Sequence, residues 1–382
     1  MSAPPTLRLA DHLASALASR HPWLYQDRLP KHDLPTGAWV RVEAGDASAF
    51  GLVDREGAIG VRLFAWDAVP DRAWWREAVR SAVARREAVA AAGHTAYRLI
   101  HGEGDGLPGL IADRYGRFVV VQPHTPALEP YLPTVARDLQ RALRAKGVVV
   151  RRADGLETLA GEPPPPEETV VENGLRFLAN LRDGQKTGLF LDHREQRGAV
   201  REMADGMRVL NLFAYAGGFS VHALAGGAAH VTDVDLAEPA LRDAERNVRA
   251  NDLPAQRHRT VAADVFAWLQ ADSGNDRYDL VILDPPSLAR AKRGRARALA
   301  AYRRLNAGAA RRVRPGGILL TASCTAQVAP DAFRQAVQEG LRDAGVAGRL
   351  LKESGHASDH PLRDGFPEGR YLKVLRLRID RR

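Results

Sequence analysis

The stretch RVLNLFAYAGGFSVHALAGGAAHVTDVD, residues 208–235, decides the fold of the C-terminal half. Residues 208–212 (RVLNL) and 230–235 (HVTDVD) are segments of strand length that contain aliphatic or β-branched residues, and a helix around 219–225 fits between them. Small residues after the first run let the backbone turn tightly before the helix begins. A strand, a helix and a second strand in this order predict a parallel sheet with helices on its faces.

The same alternation continues toward the C-terminus. Further strands are predicted at 260–263, 279–283, 317–322 and 372–377, and further helices at 237–251, 298–312 and 331–344. These elements predict a doubly wound α/β fold, which binds ligands beyond the C-terminal ends of its parallel strands.

The N-terminal half has a different pattern. Short alternating segments at 38–42, 49–53 and 58–64 predict a small β-barrel, and residues 71–92 have helical periodicity. A glycine-rich turn at 101–109 then leads to strands at 110–112, 118–122 and 148–150 and a helix near 128–145. The prolines of 163–166 predict a loop.

Composition excludes several classes of protein. The 382 residues are 45% hydrophobic and 26% charged, as expected of a soluble protein, and no apolar run reaches the roughly 18 residues of a membrane helix. Charged residues near the N-terminus also disfavour a secretory signal. Cys324 is the only cysteine, which rules out an intrachain disulfide and fits the cytoplasm.

Acidic residues follow three of the predicted strands. Asp235 stands where such folds hold a ribose diol, although an acid there can equally cap the next helix. Asp264 is placed to accept from an adenine amino group. Asp284 begins the segment Asp-Pro-Pro, whose two prolines stiffen the turn and leave a carboxylate and carbonyl groups to grip the edge of a base.

Cys324 follows the strand predicted at 317–322, on the same edge of the sheet as Asp284. A single cysteine in a strand is usually an inert core residue. Its position beyond the strand end instead favours a reactive thiol.

The chain resembles the PUA-containing ribosomal RNA large subunit methyltransferase I family over nearly its whole length. The matching segments are RHPW (20–23), GLVD (51–54), VRL (61–63), YRLIHGEGDGLPGL (97–110), ENG (172–174), GQKTGLFLDHR (184–194), NLFAYAGGF (211–219), DPP (284–286), SC (323–324), DHP (359–361) and FPEGRYLK (366–373).

This resemblance implies three domains: a PUA-like RNA-binding domain at 1–72, a central α/β domain at 73–187 and a Rossmann-like methyltransferase domain at 188–382. It also implies S-adenosylmethionine as cofactor and 23S ribosomal RNA, or a large-subunit precursor, as substrate. A homodimer is compatible with the family, and the sequence carries no separate sign of one.

The resemblance further assigns roles to individual residues. The cofactor would be bound by Phe190, Asp192, Arg194, Asn211, Phe213, Tyr215, Gly217, Asp235, Asp264 and Asp284. Asp284 would also face the target base, and Cys324 corresponds to the nucleophile that forms 5-methylcytidine.

The chemistry of cytosine explains why a thiol is needed. Cytosine C5 is a weak nucleophile, and addition of a thiolate to C6 makes C5 enamine-like before it takes the methyl group. Many RNA cytosine-C5 methyltransferases carry a second cysteine at the position of Pro286, so product release in this chain cannot use a second thiol.

The net charge is +9, and all but six of the 55 basic residues are arginine. Residues 285–330 contain no acid. The basic run begins directly beyond the base-binding turn, which favours contact with RNA phosphates over a merely solvated helix face. The predicted RNA-binding residues are Arg290, Lys292, Arg293, Arg295 and Arg297.

Other functions remain open at this point. Related proteins of this architecture methylate guanine N7 without a thiol, and a chain that kept the fold without catalysis could act as an RNA-binding assembly factor. His356, Asp359 and His360 lack regular metal-ligand spacing, so we expect a hydrogen-bonded loop and no metal.

Overall fold

A computed structural model describes residues 3–182, 187–271, 276–289 and 291–381, with the side chains of Lys292 and Arg381 outside that description. The chain forms two compact units. The first comprises residues 1–171, 179–191 and 358–369, and the second comprises residues 172–178, 192–357 and 370–382.

The first unit begins with a five-stranded sheet. Its elements are β1 (Thr6–Arg8), α1 (Ala14–Ala18), β2 (Trp23–Tyr25), β3 (Trp39–Ala44), β4 (Ala47–Val53) and β5 (Ile59–Ala65). The strand order is β1-β3-β4-β5-β2. Alternate side chains of these strands, among them Val40, Val42 and Leu63, are fully buried in a common apolar core.

The helix predicted at 71–92 is interrupted. It is divided into α2 (Arg72–Ala84) and α3 (Glu87–Ala91), with the Asp71 carboxylate accepting from Trp74 N at the start. Arg86 lies at the interruption and is only 2% exposed, because its guanidinium turns inward to the carboxylate of Asp105. The periodicity of the sequence could not show this inward turn.

A second five-stranded sheet follows in the first unit. It contains β6 (Ala96–His101), β7 (Leu110–Tyr115), β8 (Phe118–Pro123), α4 (Leu132–Leu143), β9 (Gly147–Arg152) and β10 (Gly155–Gly161). The strand order is β10-β9-β8-β7-β6. β8 and β9 are parallel and joined through α4, whereas the other neighbours are antiparallel.

A two-stranded sheet, β11 (Glu167–Glu172) and β12 (Leu175–Asn180), follows the proline loop. The prolines of 163–166 lie outside regular structure, as predicted. This hairpin was not predicted from the sequence.

The second unit is doubly wound. Its elements are α5 (Arg194–Met203), β13 (Arg208–Leu212), α6 (Gly218–Ala225), β14 (His230–Asp235), α7 (Glu238–Ala250), β15 (His258–Ala262), α8 (Val265–Gln270), β16 (Tyr278–Leu283), α9 (Arg295–Arg312), β17 (Val313–Ser323), α10 (Pro330–Asp343), β18 (Val346–Ser354) and β19 (Lys373–Arg381).

Seven strands of this unit form one sheet in the order β15-β14-β13-β16-β17-β19-β18. The first five are parallel, and β19 runs antiparallel to both of its neighbours. The mixed α/β fold with a C-terminal doubly wound domain is therefore confirmed. The strands and helices predicted for this unit are all present, but α5, α8 and β18 were not predicted. The division at 72/73 and 187/188 stays a prediction.

Among the residues described, no helix is both long enough and apolar enough to cross a membrane.

Candidate active site at the strand ends

The parallel strands bring the predicted residues of the second unit to one edge of the sheet. β13 lies at the centre, between β14 and β16, and β17 is the next neighbour of β16. Register pairs Leu212 with both Val234 and Leu283, and Leu283 with Thr321. The residues just after these positions therefore share one edge, including the loop after β13, Asp235, Asp284 and Cys324.

The loop between β13 and α6 has an unusual backbone. Phe213 and Tyr215 have φ angles of 62° and 49°, and Gly217 has a φ of 72°. Positive φ costs a residue with a side chain about 1–2 kcal/mol, so two such residues in one turn mark a backbone held in a special shape. Gly217 is needed for another reason as well, because a Cβ there would lie 2.7 Å from the Cβ of Ala244 on α7.

Buried hydrogen bonds hold this loop from below. The Asn211 amide, 1% exposed, donates to Ser220 Oγ at 2.9 Å and to Asp233 Oδ1 at 3.1 Å. His258 Nε2 lies 2.9 Å from the other oxygen of Asp233. Asp233 is completely buried, so of the two acids near the end of β14 it has the structural role.

Asp235, the second of these acids, is partly exposed and bonded to the loop. Its Oδ2 accepts from Tyr215 N at 2.9 Å and its Oδ1 accepts from Ala237 N at 2.8 Å. A carboxylate offers about four acceptor positions, so these two bonds leave capacity for a ligand. The helix-capping alternative considered for this residue is not realised, because the N-cap of α7 is Ala237 and no side chain caps the helix. The two bonds instead orient the Asp235 carboxylate.

Asp264 begins α8. Its Oδ1 accepts from Ala267 N at 2.8 Å, the bond of an N-cap residue, and its side chain is exposed. The ring of Phe266 lies 6.4 Å from the ring of Phe213, centroid to centroid, in an edge-on arrangement. Phe266 therefore connects the end of β15 with the loop after β13.

Asp284 has a histidine neighbour that sequence reasoning missed. His193 Nε2 lies 3.2 Å from Asp284 Oδ2, and the histidine side chain is 4% exposed against 22% for the aspartate. His193 Nδ1 is buried with no hydrogen-bond partner among the described residues. The imidazole can thus fix the orientation of the Asp284 carboxylate.

Cys324 lies against the turn that Asp284 begins. Its Sγ is 3.8 Å from the carbonyl oxygen of Pro285, and the residue is partly exposed. The structure thus brings the thiol next to the proline that follows Asp284.

Lys373 is a second residue that sequence reasoning did not single out. It pairs with Ser323 in the sheet, and its Nζ donates to the carbonyl oxygens of Thr325 at 2.8 Å and Tyr371 at 2.9 Å. Burial lowers the pKa of Lys373 to about 8, and the neighbouring Cys324 opposes that shift. The ammonium group is therefore the cation that can stabilise a thiolate at Cys324.

Tyr302 completes this side of the site. Burial raises the pKa of Tyr302 to about 12, so the phenol stays protonated near neutral pH. Its hydroxyl lies 2.7 Å from Thr325 Oγ1, which in turn accepts from Leu288 N at 3.0 Å. These bonds connect α9 and the proline turn to the segment that carries Cys324.

The motif around 192–194 is buried. Asp192 accepts from the Tyr371 hydroxyl at 2.8 Å, and its main-chain carbonyl accepts from Ala357 N at 3.0 Å. The Arg194 side chain is 3% exposed and lies 3.4 Å from a carboxylate oxygen of Glu195. Phe190 is half-buried in the first unit.

Of the predicted RNA-binding residues, Arg293, Arg295 and Arg297 are exposed near the start of α9, and none has an ion-pair partner within the described part of the chain. Arg290 and the side chain of Lys292 lie outside the described residues. Later basic residues differ. Arg303 bonds both oxygens of Asp343, and Arg312 is buried over Trp268.

The histidines near 356–360 take part in hydrogen bonds. His360 Nδ1 lies 2.8 Å from Asp359 Oδ1 in the first unit. His356 Nε2 accepts from Leu372 N at 3.2 Å in the second unit.

The strand-end residues fit S-adenosylmethionine. Leu236, directly after Asp235, is 71% exposed, which is unusual for leucine and offers an apolar surface beside a carboxylate. The loop after β13 adds small residues and a backbone shape that lets a ligand approach closely. The signal in the sequence that could have indicated this surface is the apolar Leu236 directly after Asp235.

Comparisons with known proteins identify the domains. Residues 133–350 match the family described as S-adenosylmethionine-dependent methyltransferase, and residues 7–66 match a PUA-like domain. In solved structures, the chain resembles an S-adenosylmethionine-dependent methyltransferase from Streptococcus mutans, with a TM-score of 0.88, 24% identity and coverage of 98% of this chain and 100% of the other. A methyltransferase solved as a complex with SAH has a TM-score of 0.89, 25% identity and the same coverage.

Relatives of similar length have more specific names. The chain is 40% identical to "Ribosomal RNA large subunit methyltransferase" of Deinococcus radiodurans, covering 100% of both chains. It is 36% identical to "Ribosomal RNA large subunit methyltransferase I" of Photobacterium profundum, covering 94% of this chain and 95% of that one. The strand-end site and these full-length matches together show that the chain belongs to the family of S-adenosylmethionine-dependent large-subunit ribosomal RNA methyltransferases.

Proposed function

We propose that this methyltransferase forms 5-methylcytidine in 23S ribosomal RNA, with Cys324 as covalent nucleophile. The observation that supports this most directly is the contact of Cys324 Sγ with the carbonyl of Pro285, at 3.8 Å, beside the buried ammonium group of Lys373. A thiol between a base-binding turn and a cation is arranged for attack on a pyrimidine. Acting on ribosomal RNA places the protein in the cytoplasm.

The cofactor would be held by the loop after β13 and the acids at the strand ends. Phe213, Tyr215 and Gly217 would line it, with Asn211 supporting the loop from below. Asp235 would accept from the ribose hydroxyls. The exposed carboxylate of Asp264 keeps an oxygen for the adenine amino group while it caps α8.

The remaining cofactor contacts come from residues just before α5 and at its start. Asp192 and Arg194 would hold the amino-acid end of the cofactor. When bound, S-adenosylmethionine supplies an electrophilic methyl group.

The protein residues prepare the cytosine. The Cys324 thiolate adds to C6. The electron pair of the C5–C6 π bond then becomes available at C5, which can accept the methyl group. Asp284 faces N3 and the exocyclic amine and stabilises the charge that develops there. His193 positions Asp284 through the 3.2 Å contact.

Release of the product restores the thiolate. A base removes the C5 proton, the C5–C6 double bond re-forms and the Cys324–C6 bond breaks. Because Pro286 stands where other enzymes have a second cysteine, no second thiol takes part in the elimination, which is driven by removal of the C5 proton. Lys373 stabilises the departing thiolate as it does the attacking one.

The test is methyl transfer from labelled S-adenosylmethionine to unmodified 23S ribosomal RNA, followed by digestion to nucleosides and mass spectrometry. We expect label in 5-methylcytidine with the unaltered protein and none with Cys324→Ala. Cys324→Ser serves as the control for packing, because it nearly preserves the volume but is a poor nucleophile, and it should be equally inactive.

Two results would contradict the proposal. Activity that survives in Cys324→Ala would make the thiol a packing residue, and label in 7-methylguanosine would move the target to guanine. Binding of S-adenosylmethionine without any transfer to RNA would instead favour a non-catalytic RNA-binding factor.

A further inference from the structure

Two arginines of the first unit lie over the same indole ring. The guanidinium carbon of Arg20 is 5.5 Å from the Trp66 ring centroid, and that of Arg363 is 5.2 Å from it. Arg20 and Trp66 lie within the PUA-like residues, whereas Arg363 comes from the distant segment 358–369. Arg363 also donates to the main-chain carbonyl oxygen of Arg20 at 2.8 Å.

This arrangement concentrates positive charge. Burial lowers the pKa of Arg363, and the charge of Arg20 lowers it further, with Glu103 opposing the shift. Glu103 is itself engaged, because its Oε1 accepts from Trp23 Nε1 at 2.7 Å and from Gly109 N at 3.1 Å. Within the described residues neither arginine has a carboxylate in salt-bridge contact, so their repulsion is not neutralised internally.

The backbone at Arg20 is a second, independent observation. Arg20 has a φ of 56° and follows α1, and Arg20 N donates to Leu17 O at 3.0 Å while His21 N donates to Ala16 O at 3.1 Å. This is the helix-ending position where glycine is strongly preferred. An arginine there strains the backbone, which is expected where the side chain serves a purpose other than stability.

We propose that Arg20 and Arg363, both placed on Trp66, form a clamp for a phosphate group of the ribosomal RNA substrate. A phosphodiester is the negatively charged partner that the two guanidinium groups lack. The paired N–H donors of each arginine also match the spacing of the phosphate oxygens. Arg20 and Trp66 of the clamp lie in the PUA-like domain and Arg363 lies in the segment 358–369, so the clamp is formed by residues other than the basic run near α9. It rests on the proposed action on ribosomal RNA.

The experiment measures binding and methylation separately. Fluorescently labelled fragments that tile the unmodified 23S ribosomal RNA transcript are titrated with full-length protein, at several salt concentrations, and S-adenosylmethionine affinity is measured in parallel. Arg20→Gln and Arg363→Gln should each weaken RNA binding about tenfold. Each should also lower the slope of log affinity against log salt by about 0.7 to 0.9, with cofactor affinity unchanged.

Two further variants separate a binding role from a structural one. Arg20→Gly suits the positive φ, so it should leave the melting temperature equal or higher while weakening RNA binding as Arg20→Gln does. Arg55→Gln removes an exposed arginine of the same PUA-like domain and should change RNA affinity by less than about twofold.

The outcomes are distinguishable. Binding and salt slope that match the unaltered protein in the double variant Arg20→Gln/Arg363→Gln would overturn the clamp and leave the proposed methylation standing. An equal loss in Arg55→Gln would also overturn it, because the effect would then come from net charge alone. Failure of the unaltered protein to bind any fragment would overturn the proposed substrate and the clamp together.

Discussion

Burial lowers the pKa of Lys373, and the neighbouring Cys324 opposes that shift. The resulting pKa predicts how the activity depends on pH. Burial lowers the pKa of Lys373 to about 8, so the amine loses its proton as pH rises through that value. We expect the turnover number to fall above about pH 8, because a neutral amine no longer stabilises the Cys324 thiolate. In Lys373→Arg the charge persists, and this alkaline limb should move to higher pH.

Initial rates between pH 6.5 and 9.5 test this, with the rate of Cys324 alkylation as a second readout. Superimposable pH profiles for the two proteins would remove Lys373 from the mechanism.

The lowered pKa of Lys373 also affects the stability of the protein. The unfolded chain binds this proton up to higher pH, so this group makes the free energy of unfolding increase with pH above about 8.

Tyr215 has a strained backbone and lies in the loop after β13, which we propose holds the cofactor. Tyr215→Gly should leave the free energy of unfolding unchanged or raise it by about 1 kcal/mol, because glycine tolerates the φ of 49°. Loss of the ring should weaken S-adenosylmethionine binding about tenfold. Thermal unfolding and calorimetric titration measure the two effects.

Asp252→Gly is the matched control for this prediction. Asp252 has a φ of 55° and lies after α7, toward the opposite edge of the sheet, so relief of its strain should leave cofactor affinity unchanged. A destabilised Tyr215→Gly protein with normal cofactor affinity would show that the ring serves the fold instead.

Among the elements, α9 carries two groups of basic residues with different surroundings. Its first turn and the residues before it carry exposed basic side chains, whereas later arginines bond Asp343 or pack on aromatic rings. Reversal of Arg293, Arg295 and Arg297 to Glu should therefore raise the KM for RNA and flatten its salt dependence. Cofactor affinity should stay the same.

Arg249→Glu on α7 is the control, since it reverses an exposed arginine of the same unit outside the basic run. RNA kinetics that are unchanged in the triple variant would leave the start of α9 as an ordinary solvated helix face.

At the scale of the whole molecule, the chain returns to the first unit through residues 358–369 before it re-enters the second. Arg86 holds this return segment, donating to Asp359 O at 2.7 Å while its two terminal nitrogens lie 2.6 Å from the Asp105 carboxylate. Arg86→Met would leave Asp105 with Arg85, whose Nε lies 2.9 Å from its Oδ1, as the remaining charge partner, so we expect a cost of about 3 kcal/mol, the low end for a broken buried ion pair.

Urea denaturation measures that cost. Arg80→Met, which removes an exposed pairing with Glu77, should change stability by less than about 1 kcal/mol. Equal effects of the two substitutions would mean that the Arg86 network adds nothing beyond a surface ion pair.

Local patterns in the sequence were enough to predict the doubly wound sheet, the loop after β13 and the strand-end positions of Asp235, Asp284 and Cys324. Hydrophobic periodicity is local, and parallel strands necessarily bring their C-terminal ends to one edge. Only the tertiary structure showed that Asp233 is the structural acid, because burial depends on distant residues such as His258. The proximity of His193 to Asp284 and of Lys373 to Cys324 also emerged only there, since these pairs are far apart in the chain. The Arg20–Trp66–Arg363 cluster likewise joins residues more than three hundred positions apart, and no periodicity in a sequence encodes such contacts.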